Sequence, residues 1–309
     1  MFQIVRYFRY ASKAKNLHLH STFFTTTTPP PPIEVALTES TGRGVFATRP
    51  IGAGELIHKA KPVVSHPTIS SLNSVCYYCL KKLHLAKSNI GFCSHECEDQ
   101  AKAFCKIEKK GDWSAFNDYC RTQGLKYPLL VKRLACMVIS RAVSADYLDI
   151  LQPASLSTHM LSLLEDEFLL LRNTFETSDI TNEEISFLTM QWYTGVLARI
   201  RINAFRVEVA VGSYEDLLLS AAASVAAEAA VGNAVYMLPS FYNHDCDPNA
   251  HILWIENTSA RLKALRDIQA GEELTICYID ASMDRDARQT ILYEGFGFRC
   301  NCLRCSSND

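Results

Sequence analysis

The sequence predicts an α+β fold whose core is mainly β, interrupted by a zinc-binding module and a block of helices. Three observations support this prediction. Short apolar segments separated by glycine-rich turns occur in residues 33–64 and return after residue 200. Cysteines cluster in two regions with spacings typical of metal ligands. Between the two β-rich regions, apolar residues recur at intervals of three and four, the period of an amphipathic helix.

The composition is that of a globular protein with a sizeable core. The chain has 309 residues, of which 48% are hydrophobic, and its formal net charge is -2. This length allows one or two domains. The charge balance provides no global basic field that would indicate nucleic-acid binding. No membrane span is predicted, because the most apolar stretch, residues 217–240, is interrupted by Glu228, Gly232 and Pro239.

The first 32 residues differ in kind from the rest. They contain Arg6, Arg9, Lys13 and Lys15, no acidic residue, and a closing run of threonines and prolines. A basic, acid-free and Ser/Thr-containing N-terminus is typical of a mitochondrial or plastid transit peptide, and an ordinary disordered tail is the alternative. In either case we expect residues 1–32 to lie outside the fold.

Residues 33–70 and 201–285 are expected to form the two halves of one β-rich core. The segment RPIGAGELI (49–57) resembles RDIQAGEELTI (266–276), since each places a glycine turn before an apolar strand. Both therefore look like hairpin-type units of the same domain.

Residues 71–110 are expected to form a small zinc finger. Two closely spaced pairs of cysteines occur here: Cys76, Cys79, Cys93 and Cys97. A tight turn can direct two thiolates at one ion, and the second pair completes a tetrahedron. A loop-rich segment with little core of its own can be stabilised in this way. His84 and Cys105 are further possible ligands, but neither has an obvious partner.

Residues 111–200 are expected to be a mostly helical insertion. The segments LLVKRLACMVISRAV and THMLSLLEDEFLLLRNTF have helical apolar periodicity. The tetrapeptide TNEE (181–184) has the pattern of a capping box and predicts a helix that begins there and continues through ISFLTMQWYTGVLARI.

Residues 286–309 contain the second group of cysteines, Cys300, Cys302 and Cys305. Three thiolates leave a structural zinc site incomplete, because closed sites take four ligands. The best candidate for the fourth is Cys246, which lies in the polar segment NHDCDPN (243–249). The remaining thiols sit in apolar or aromatic surroundings and are predicted to be core residues: Cys120, Cys136 and Cys277.

Four motifs in this order resemble those of a known family: GRGVFA (42–47), NHDCDPN (243–249), ELTICYID (273–280) and GFGFRCNCLRC (295–305). Together they are similar to SET-domain protein-lysine methyltransferases. The intervening finger resembles that of the SET-and-MYND (SMYD) subfamily, and the short plant trithorax-related SET proteins carry a similar finger. The resemblance covers residues 33–306. It implies the SET pseudoknot β-fold with an inserted zinc finger and a post-SET zinc site, in which NHDCDPN and ELTICYID lie side by side.

The resemblance also implies the activity and the roles of individual residues. The enzyme would transfer a methyl group from S-adenosylmethionine to a lysine of a protein. Tyr278 would be the catalytic tyrosine and would also contact the cofactor. Phe205 and Phe296 would line the lysine channel. The other residues implied to bind the cofactor are Gly42, Arg43, Gly44, Asn243, His244 and Phe298. The implied post-SET zinc ligands are Cys246, Cys300, Cys302 and Cys305.

This chemistry requires alignment more than a strong nucleophilic side chain. A methyl sulfonium is already a potent electrophile, so the enzyme must align the lysine amine and exclude water. An apolar, aromatic channel lowers the pKa of the lysine and favours the neutral amine.

Two features depart from the family pattern. The finger lacks the second C-x-x-C pair and the late His-x-x-x-Cys pair of a full MYND module, so we expect one zinc there. Phe296 stands where the family often has tyrosine, and the missing hydroxyl changes the hydrogen bonding around the methylated amine.

The family implies a histone lysine as substrate and a chromatin regulator in the nucleus. The transit-like N-terminus instead favours a mitochondrion or plastid and a non-histone substrate. A catalytically weak SET-fold zinc scaffold that binds proteins is a further alternative, although the presence of Asn243, His244 and Tyr278 together favours the enzyme. A zinc hydrolase or deaminase is disfavoured, because the cysteine clusters look closed and no H-x-E with a downstream P-C-x-x-C occurs.

Overall fold

The computed structural model describes residues 30–38, 42–84, 90–209 and 230–307. All but the last three residues of the transit-like segment 1–32 lie outside these ranges. Among the described helices, none is both long enough and apolar enough to cross a membrane.

The described residues contain ten strands arranged in three small sheets. The strands are β1 Ile33–Leu37, β2 Arg43–Ala47, β3 Leu56–Ala60, β4 Val64–Pro67, β5 Ala204–Val207, β6 Gly232–Val235, β7 Asn243–His244, β8 Ala250–Leu253, β9 Ala260–Ala264 and β10 Glu273–Ile276. Their orders within the sheets are β1-β2-β10-β7, β3-β9-β8 and β4-β6-β5.

Strands from both halves of the chain meet in every sheet, so the two halves form one β core. In the first sheet, β10 runs antiparallel to β2 and parallel to β7. The two similar segments noted in the sequence also meet, since Ile51 and Ile268 form an antiparallel bridge in which the Ile51 amide donates to the Ile268 carbonyl at 2.9 Å. The predicted α+β class with a mainly β core is confirmed.

The helices are α1 His95–Glu108, α2 Ser114–Thr122, α3 Tyr127–Ile139, α4 Thr158–Glu176, α5 Met190–Asn203, α6 Arg285–Phe296 and α7 Leu303–Ser306. The first five lie between β4 and β5, and α3 packs against β4. Helix and sheet share one hydrophobic core, in which Val45, Leu134 and Leu274 are at most 1% exposed.

The helix predicted to start near residue 181 begins later. Thr181 and Glu184 do form the reciprocal hydrogen bonds of a capping box, at 2.9 Å and 3.3 Å. The residues that follow form turns, with Ile185 and Leu188 buried in the core. Helix α5 starts only at Met190, where the Thr189 hydroxyl accepts from the Trp192 amide at 3.1 Å. A second capping residue therefore sets the start of the helix.

A buried charged cluster fastens the finger to the helical insertion. Glu108, the last residue of α1, and Arg133 of α3 are 7% and 2% exposed. The Tyr77 hydroxyl donates to Glu108 at 2.9 Å, while Arg133 donates to the Tyr77 carbonyl at 2.9 Å and the Ser65 carbonyl at 2.6 Å. The Arg133 guanidinium also stacks 3.9 Å above the Tyr77 ring. Because an unpaired buried charge is costly, these contacts hold the finger against β4.

A second buried polar pair joins two sheets beside the candidate site. His58 lies on β3, and Tyr242 immediately precedes β7. The His58 Nε2 atom and the Tyr242 hydroxyl are 3.0 Å apart, and both side chains are buried. Burial lowers the pKa of His58 from its ordinary 6.5 to about 4. The ring is therefore neutral at physiological pH.

This pKa shift predicts acid sensitivity of the fold. Above pH 6.5 His58 is neutral in both the folded and the unfolded chain. Between pH 6.5 and about 4 the unfolded chain takes up a proton that the folded chain does not, so the free energy of unfolding falls as the pH falls. The expected contribution is on the order of 3 kcal/mol. His58→Gln replaces the imidazole with an amide that can still bond the Tyr242 hydroxyl but does not titrate. Its denaturant unfolding curves should therefore show a smaller loss of stability over this pH range.

The matched control is His95→Gln, because His95 is fully exposed on α1. Its stability should follow the pH dependence of the wild type. If the stability of the His58→Gln variant fell with pH as much as that of the wild type, His58 would not be the source of the acid sensitivity.

Candidate active site and cysteine clusters

The candidate active site is built where β7 and β10 run side by side. Asn243 is in register with Thr275, and His244 with Ile276. The turn after β7 is held to β10 by Asn249, whose Oδ1 accepts from the Thr275 amide at 2.9 Å and whose Nδ2 donates to the Glu273 carbonyl at 2.7 Å. The segments NHDCDPN and ELTICYID are therefore neighbours in the fold.

The glycines at the start of β2 allow the backbone of that strand to lie close to β7 and β10. Gly42 has a φ of +81°, a left-handed conformation that glycine adopts without strain. A Cβ atom on Gly44 would lie only 2.4 Å from the Glu273 Oε1 atom and 3.2 Å from the Asn243 Nδ2 atom. The chain at Gly44 approaches Asn243 more closely than a side chain would allow.

Arg43, between these glycines, uses its side chain for packing. Its guanidinium donates to the Ile150 carbonyl and lies 4.6 Å from the centre of the Phe241 ring. Its backbone carbonyl, in contrast, accepts from Asn243 Nδ2 at 3.1 Å. The backbone of Arg43 therefore belongs to the candidate site, whereas its side chain ties β2 to the turn that contains Ile150.

Asn243 is oriented by Glu273, a residue that sequence reasoning missed. Besides its bond to Arg43, Asn243 Nδ2 donates to the Glu273 Oε1 atom at 2.7 Å. Each hydrogen of the Asn243 amide thus has an acceptor, and the side-chain oxygen is the acceptor atom of the group. The sole sequence signal for Glu273 is its place at the start of the strand before Tyr278.

Tyr278 follows β10 and is held at both ends. Its hydroxyl donates to the Tyr242 carbonyl at 2.6 Å, and its amide donates to the Nδ1 atom of His244 at 3.1 Å. Burial raises the pKa of the Tyr278 hydroxyl above its ordinary value. The phenol therefore stays protonated at neutral pH and can act as a hydrogen-bond donor.

Two phenylalanines from the C-terminal region surround Tyr278. The Phe296 ring lies 5.0 Å from the Tyr278 ring, centre to centre, and the Phe298 ring lies 6.4 Å from it, nearly perpendicular. Phe298 also lies 6.0 Å from the His244 ring. The structure thus groups His244, Tyr278, Phe296 and Phe298 into one aromatic cluster.

A cavity of about 330 Å³ opens against this cluster. Tyr278 and Phe296 line it, and so does Phe205 from β5. Three further aromatic residues line it, namely Tyr127, Tyr242 and Trp254, and so do the cationic residues Arg201 and Arg206. Aromatic side chains and neighbouring positive charges both disfavour a charged amine, so a lysine inserted here would have a lowered pKa.

The cysteines form two compact clusters, and within each the four sulfurs lie within 4.8 Å of one another. The finger cluster consists of Cys76, Cys79, Cys93 and Cys97. The C-terminal cluster consists of Cys246, Cys300, Cys302 and Cys305. His84 and Cys105 belong to neither cluster, and Cys120 and Cys136 are fully buried in the core. Cys277 was also predicted to be a core residue, but it is half-buried and lines the cavity, because it lies between the end of β10 and Tyr278.

The geometry of both clusters fits a tetrahedral zinc ion. The sulfur–sulfur distance is 3.5 Å for Cys79–Cys93, and it is 3.9 Å for Cys246–Cys300 and 3.6 Å for Cys246–Cys305. Four sulfurs placed ~2.3 Å from a central zinc would be separated by about 3.8 Å. Each cluster therefore has the donor set and spacing for one zinc ion.

The C-terminal cluster requires positive charge to exist as thiolates. Burial raises the pKa of Cys246, and it raises that of Cys300 to about 12. A bound divalent cation supplies the compensating charge. Arg288 of α6 is fully buried, with its Nη2 atom 3.9 Å from the Cys305 sulfur, and adds a second source of positive charge. The spacing of the sequence provides no signal for this arginine.

Metal analysis of the purified chain should find two zinc ions per molecule. Cys302→Ser should lose one of them, because a serine hydroxyl does not ionise to replace a thiolate ligand. Cys105→Ala, a buried cysteine outside both clusters, is the control and should retain two. Mass spectrometry of metals in the dialysed protein provides the count. Two zinc ions in the Cys302→Ser variant would contradict the assignment.

Comparison with known proteins agrees with this geometry. Residues 42–279 match the SET domain family. The chain is 61% identical over 282 residues to the histone-lysine N-methyltransferase ATXR4 of Arabidopsis thaliana. This alignment covers 90% of this chain and 87% of that protein. It is 28% identical over 294 residues to the histone-lysine N-methyltransferase SMYD3 of Mus musculus, covering 90% of this chain and 62% of that protein.

Among solved structures, the chain matches the SET domain of LSMT bound to lysine and AdoHcy, with a TM-score of 0.36 and 12% identity over 88% of this chain and 54% of that one. The family match extends over most of the sequence, and the resemblance found in its motifs is confirmed. The chain belongs to the SET-domain family.

Proposed function

We propose that the protein is an S-adenosylmethionine-dependent protein-lysine N-methyltransferase. The observation that carries this proposal is the place of Tyr278, which lines an aromatic cavity and is bonded through its amide to His244 in the Asn243–His244 strand. One residue thus lies between a channel suited to lysine and the backbone expected to hold the cofactor. Membership of the SET-domain family and the relatives named as histone-lysine N-methyltransferases support the same activity.

The cofactor would be held by the residues grouped around Gly44. When bound, S-adenosylmethionine supplies an electrophilic methyl group on a positively charged sulfonium. The Asn243 oxygen is suited to accept from an ammonium group, and the close approach at Gly44 lets backbone atoms contact a ligand directly. The Glu273 carboxylate, bonded to Asn243, contributes negative charge beside a cationic ligand. Phe298 offers an aromatic face for an adenine ring.

The lysine would enter the cavity lined by Phe205, Phe296 and Tyr278. The aromatic side chains and the nearby arginines favour the neutral amine, which alone has a lone pair for attack. The Tyr278 hydroxyl, fixed by the Tyr242 carbonyl, would orient the lysine amine for methyl transfer. Among the described residues that line the cavity none is a carboxylate, and the reaction does not require a strong base there.

We also propose that each cysteine cluster holds one zinc ion. The C-terminal cluster would pin the segment 300–305 against Cys246, two residues from His244. The proposed division of the chain follows the segments predicted from the sequence, with the finger at residues 71–110, the helical insertion at 111–200 and the post-SET region at 286–309.

The proposed substrate is a lysine of a histone, supported by the activity named for the relatives. This assignment would place the protein in the nucleus as a chromatin regulator. The basic, acid-free N-terminal segment supports a second candidate, a non-histone protein of the mitochondrion or plastid.

The test is a methyl-transfer assay with radiolabelled S-adenosylmethionine, using the full chain with core histones and separately with an organelle extract. Tyr278→Phe should reduce transfer on the order of a hundredfold, because loss of the orienting hydroxyl misaligns the amine. Tyr293→Phe is the control, since Tyr293 is exposed on α6, and it should retain wild-type activity.

The acceptor identifies the substrate class. Tyr278-dependent label on histone would support the chromatin assignment, and label only on an organelle protein would support the alternative. Absence of label from a folded, zinc-loaded chain in both mixtures would overturn the enzyme assignment and favour a SET-fold scaffold.

A further inference from the structure

We propose that the imidazole of His244 couples the C-terminal cluster to Tyr278, so that metal binding at the cluster fixes the position of the tyrosine. This inference rests on the proposed function of Tyr278. It makes His244 a positioning residue whose side chain acts between metal and tyrosine, in addition to any contact that its backbone makes with the cofactor.

The His244 ring lies between two partners that use different nitrogen atoms. Its Nδ1 atom accepts the amide hydrogen of Tyr278 at 3.1 Å. Its Nε2 atom lies 3.3 Å from the sulfur of Cys246. The same ring therefore contacts the backbone of the proposed catalytic tyrosine and a sulfur of the four-cysteine cluster.

The hydrogen bond at Nδ1 determines which atom is the donor in the contact between Nε2 and the Cys246 sulfur. Because Nδ1 accepts a hydrogen bond, it carries no proton, and a neutral imidazole then has its single proton on Nε2. The Nε2–H group must donate to the Cys246 sulfur. A metal-bound thiolate is a good acceptor, whereas a thiol is a weak one. Metal binding at the C-terminal cluster therefore strengthens the bond that orients the His244 ring.

Tyr278 depends on this ring because the strand pairing ends before it. The β7–β10 register stops at Ile276, whose carbonyl accepts from the Asp245 amide at 3.1 Å. Two residues further on, a side chain and not a strand accepts the amide hydrogen of Tyr278. The His244 ring thus supplies the hydrogen-bond acceptor that a paired strand would otherwise supply, at the point where the chain leaves the sheet.

Aromatic packing limits the positions that the His244 ring can adopt. The centres of the His244 and Tyr278 rings are 5.2 Å apart, and Phe298 packs against both. The Tyr278 hydroxyl is fixed separately by the Tyr242 carbonyl. A change at His244 would therefore move the backbone end of Tyr278 while the hydroxyl end keeps its own partner, and this would tilt the phenol within the cavity.

Two substitutions separate the two contacts. His244→Asn places an amide oxygen near the position of Nδ1 and does not reach the sulfur of Cys246. His244→Gln places its amide nitrogen near the position of Nε2 and removes the acceptor for the Tyr278 amide. His251→Asn, at a half-buried histidine on β8, is the matched control.

Zinc affinity tests the contact to Cys246 without any requirement for activity. In competition with a coloured chelator, zinc should be released from the C-terminal cluster of His244→Asn at about tenfold lower chelator concentration than in the wild type. His244→Gln and His251→Asn should match the wild type, and release from the finger cluster is an internal control in every sample. Wild-type affinity in His244→Asn would overturn this half of the proposal.

Hydrogen–deuterium exchange of the peptide containing Tyr278 tests the other contact. In the zinc-loaded wild type the Tyr278 amide should be protected, and removal of the C-terminal zinc should increase its exchange. His244→Gln should exchange rapidly with or without zinc, whereas His244→Asn should remain protected in both conditions. Protection in His244→Gln, or exchange in the wild type that does not depend on zinc, would overturn the coupling.

Activity links this coupling to catalysis. His244→Gln should reduce kcat on the order of a hundredfold at saturating zinc, with a smaller change in the KM for S-adenosylmethionine. A wild-type kcat in this variant would overturn the positioning role. If the wild-type chain transfers no methyl group, the proposed function fails, and the zinc-affinity and exchange measurements still decide whether His244 joins the cluster to Tyr278.

Discussion

The parallel pairing of β7 with β10 is the constraint on which the candidate site depends. Parallel neighbours cannot be joined by a tight turn, so the chain makes a long crossover through β8 and β9 before β10 returns to lie beside β7. The pairing covers only two residues of each strand, and Asn249 reinforces it with two side-chain bonds to β10. Through this register Asn243 faces Gly44 and Glu273, while Tyr278 emerges next to His244.

The cysteine clusters stabilise the two regions that have the least core of their own. The finger depends on its four thiols and on the buried contacts of Arg133 and Glu108 with Tyr77. The C-terminal region contributes Phe296 and Phe298 to the site but follows the last strand. It is held by the C-terminal cluster, by the aromatic contacts of these two rings, and by Arg304, which donates to the Cys246 and Ala281 carbonyls. A site assembled in this way makes the position of its aromatic side chains depend on metal ligands outside the cavity.

Features that depend on local spacing could be predicted from the sequence. Seven of the eight clustered thiols could be predicted because their spacing is short, and the structure places the predicted thiols in two clusters of four. Cys246 lies 54 residues before Cys300 and was predicted because three thiolates leave a zinc site incomplete and because the NHDCDPN motif resembles that of the family. The start of α5 could not, since capping bonds form at both Thr181 and Thr189 and the helix begins only after the second. The side chain of Arg43 also escaped prediction, because its partner Ile150 lies 107 residues away. Glu273 and the His58–Tyr242 pair are long-range contacts of the same kind and have no local signature.

The most direct test of this account is the binding of S-adenosylmethionine to the chain and to its Gly44→Ala variant, measured by isothermal titration calorimetry. Gly52→Ala is the matched control, because a Cβ there meets nothing within 4 Å. We expect one cofactor bound per wild-type chain and at least about tenfold weaker binding to Gly44→Ala, a loss of about 1.4 kcal/mol in binding free energy, with zinc content unchanged. Wild-type affinity in Gly44→Ala, or no binding to the folded wild-type chain, would contradict a cofactor site built where β2 meets the β7–β10 pair.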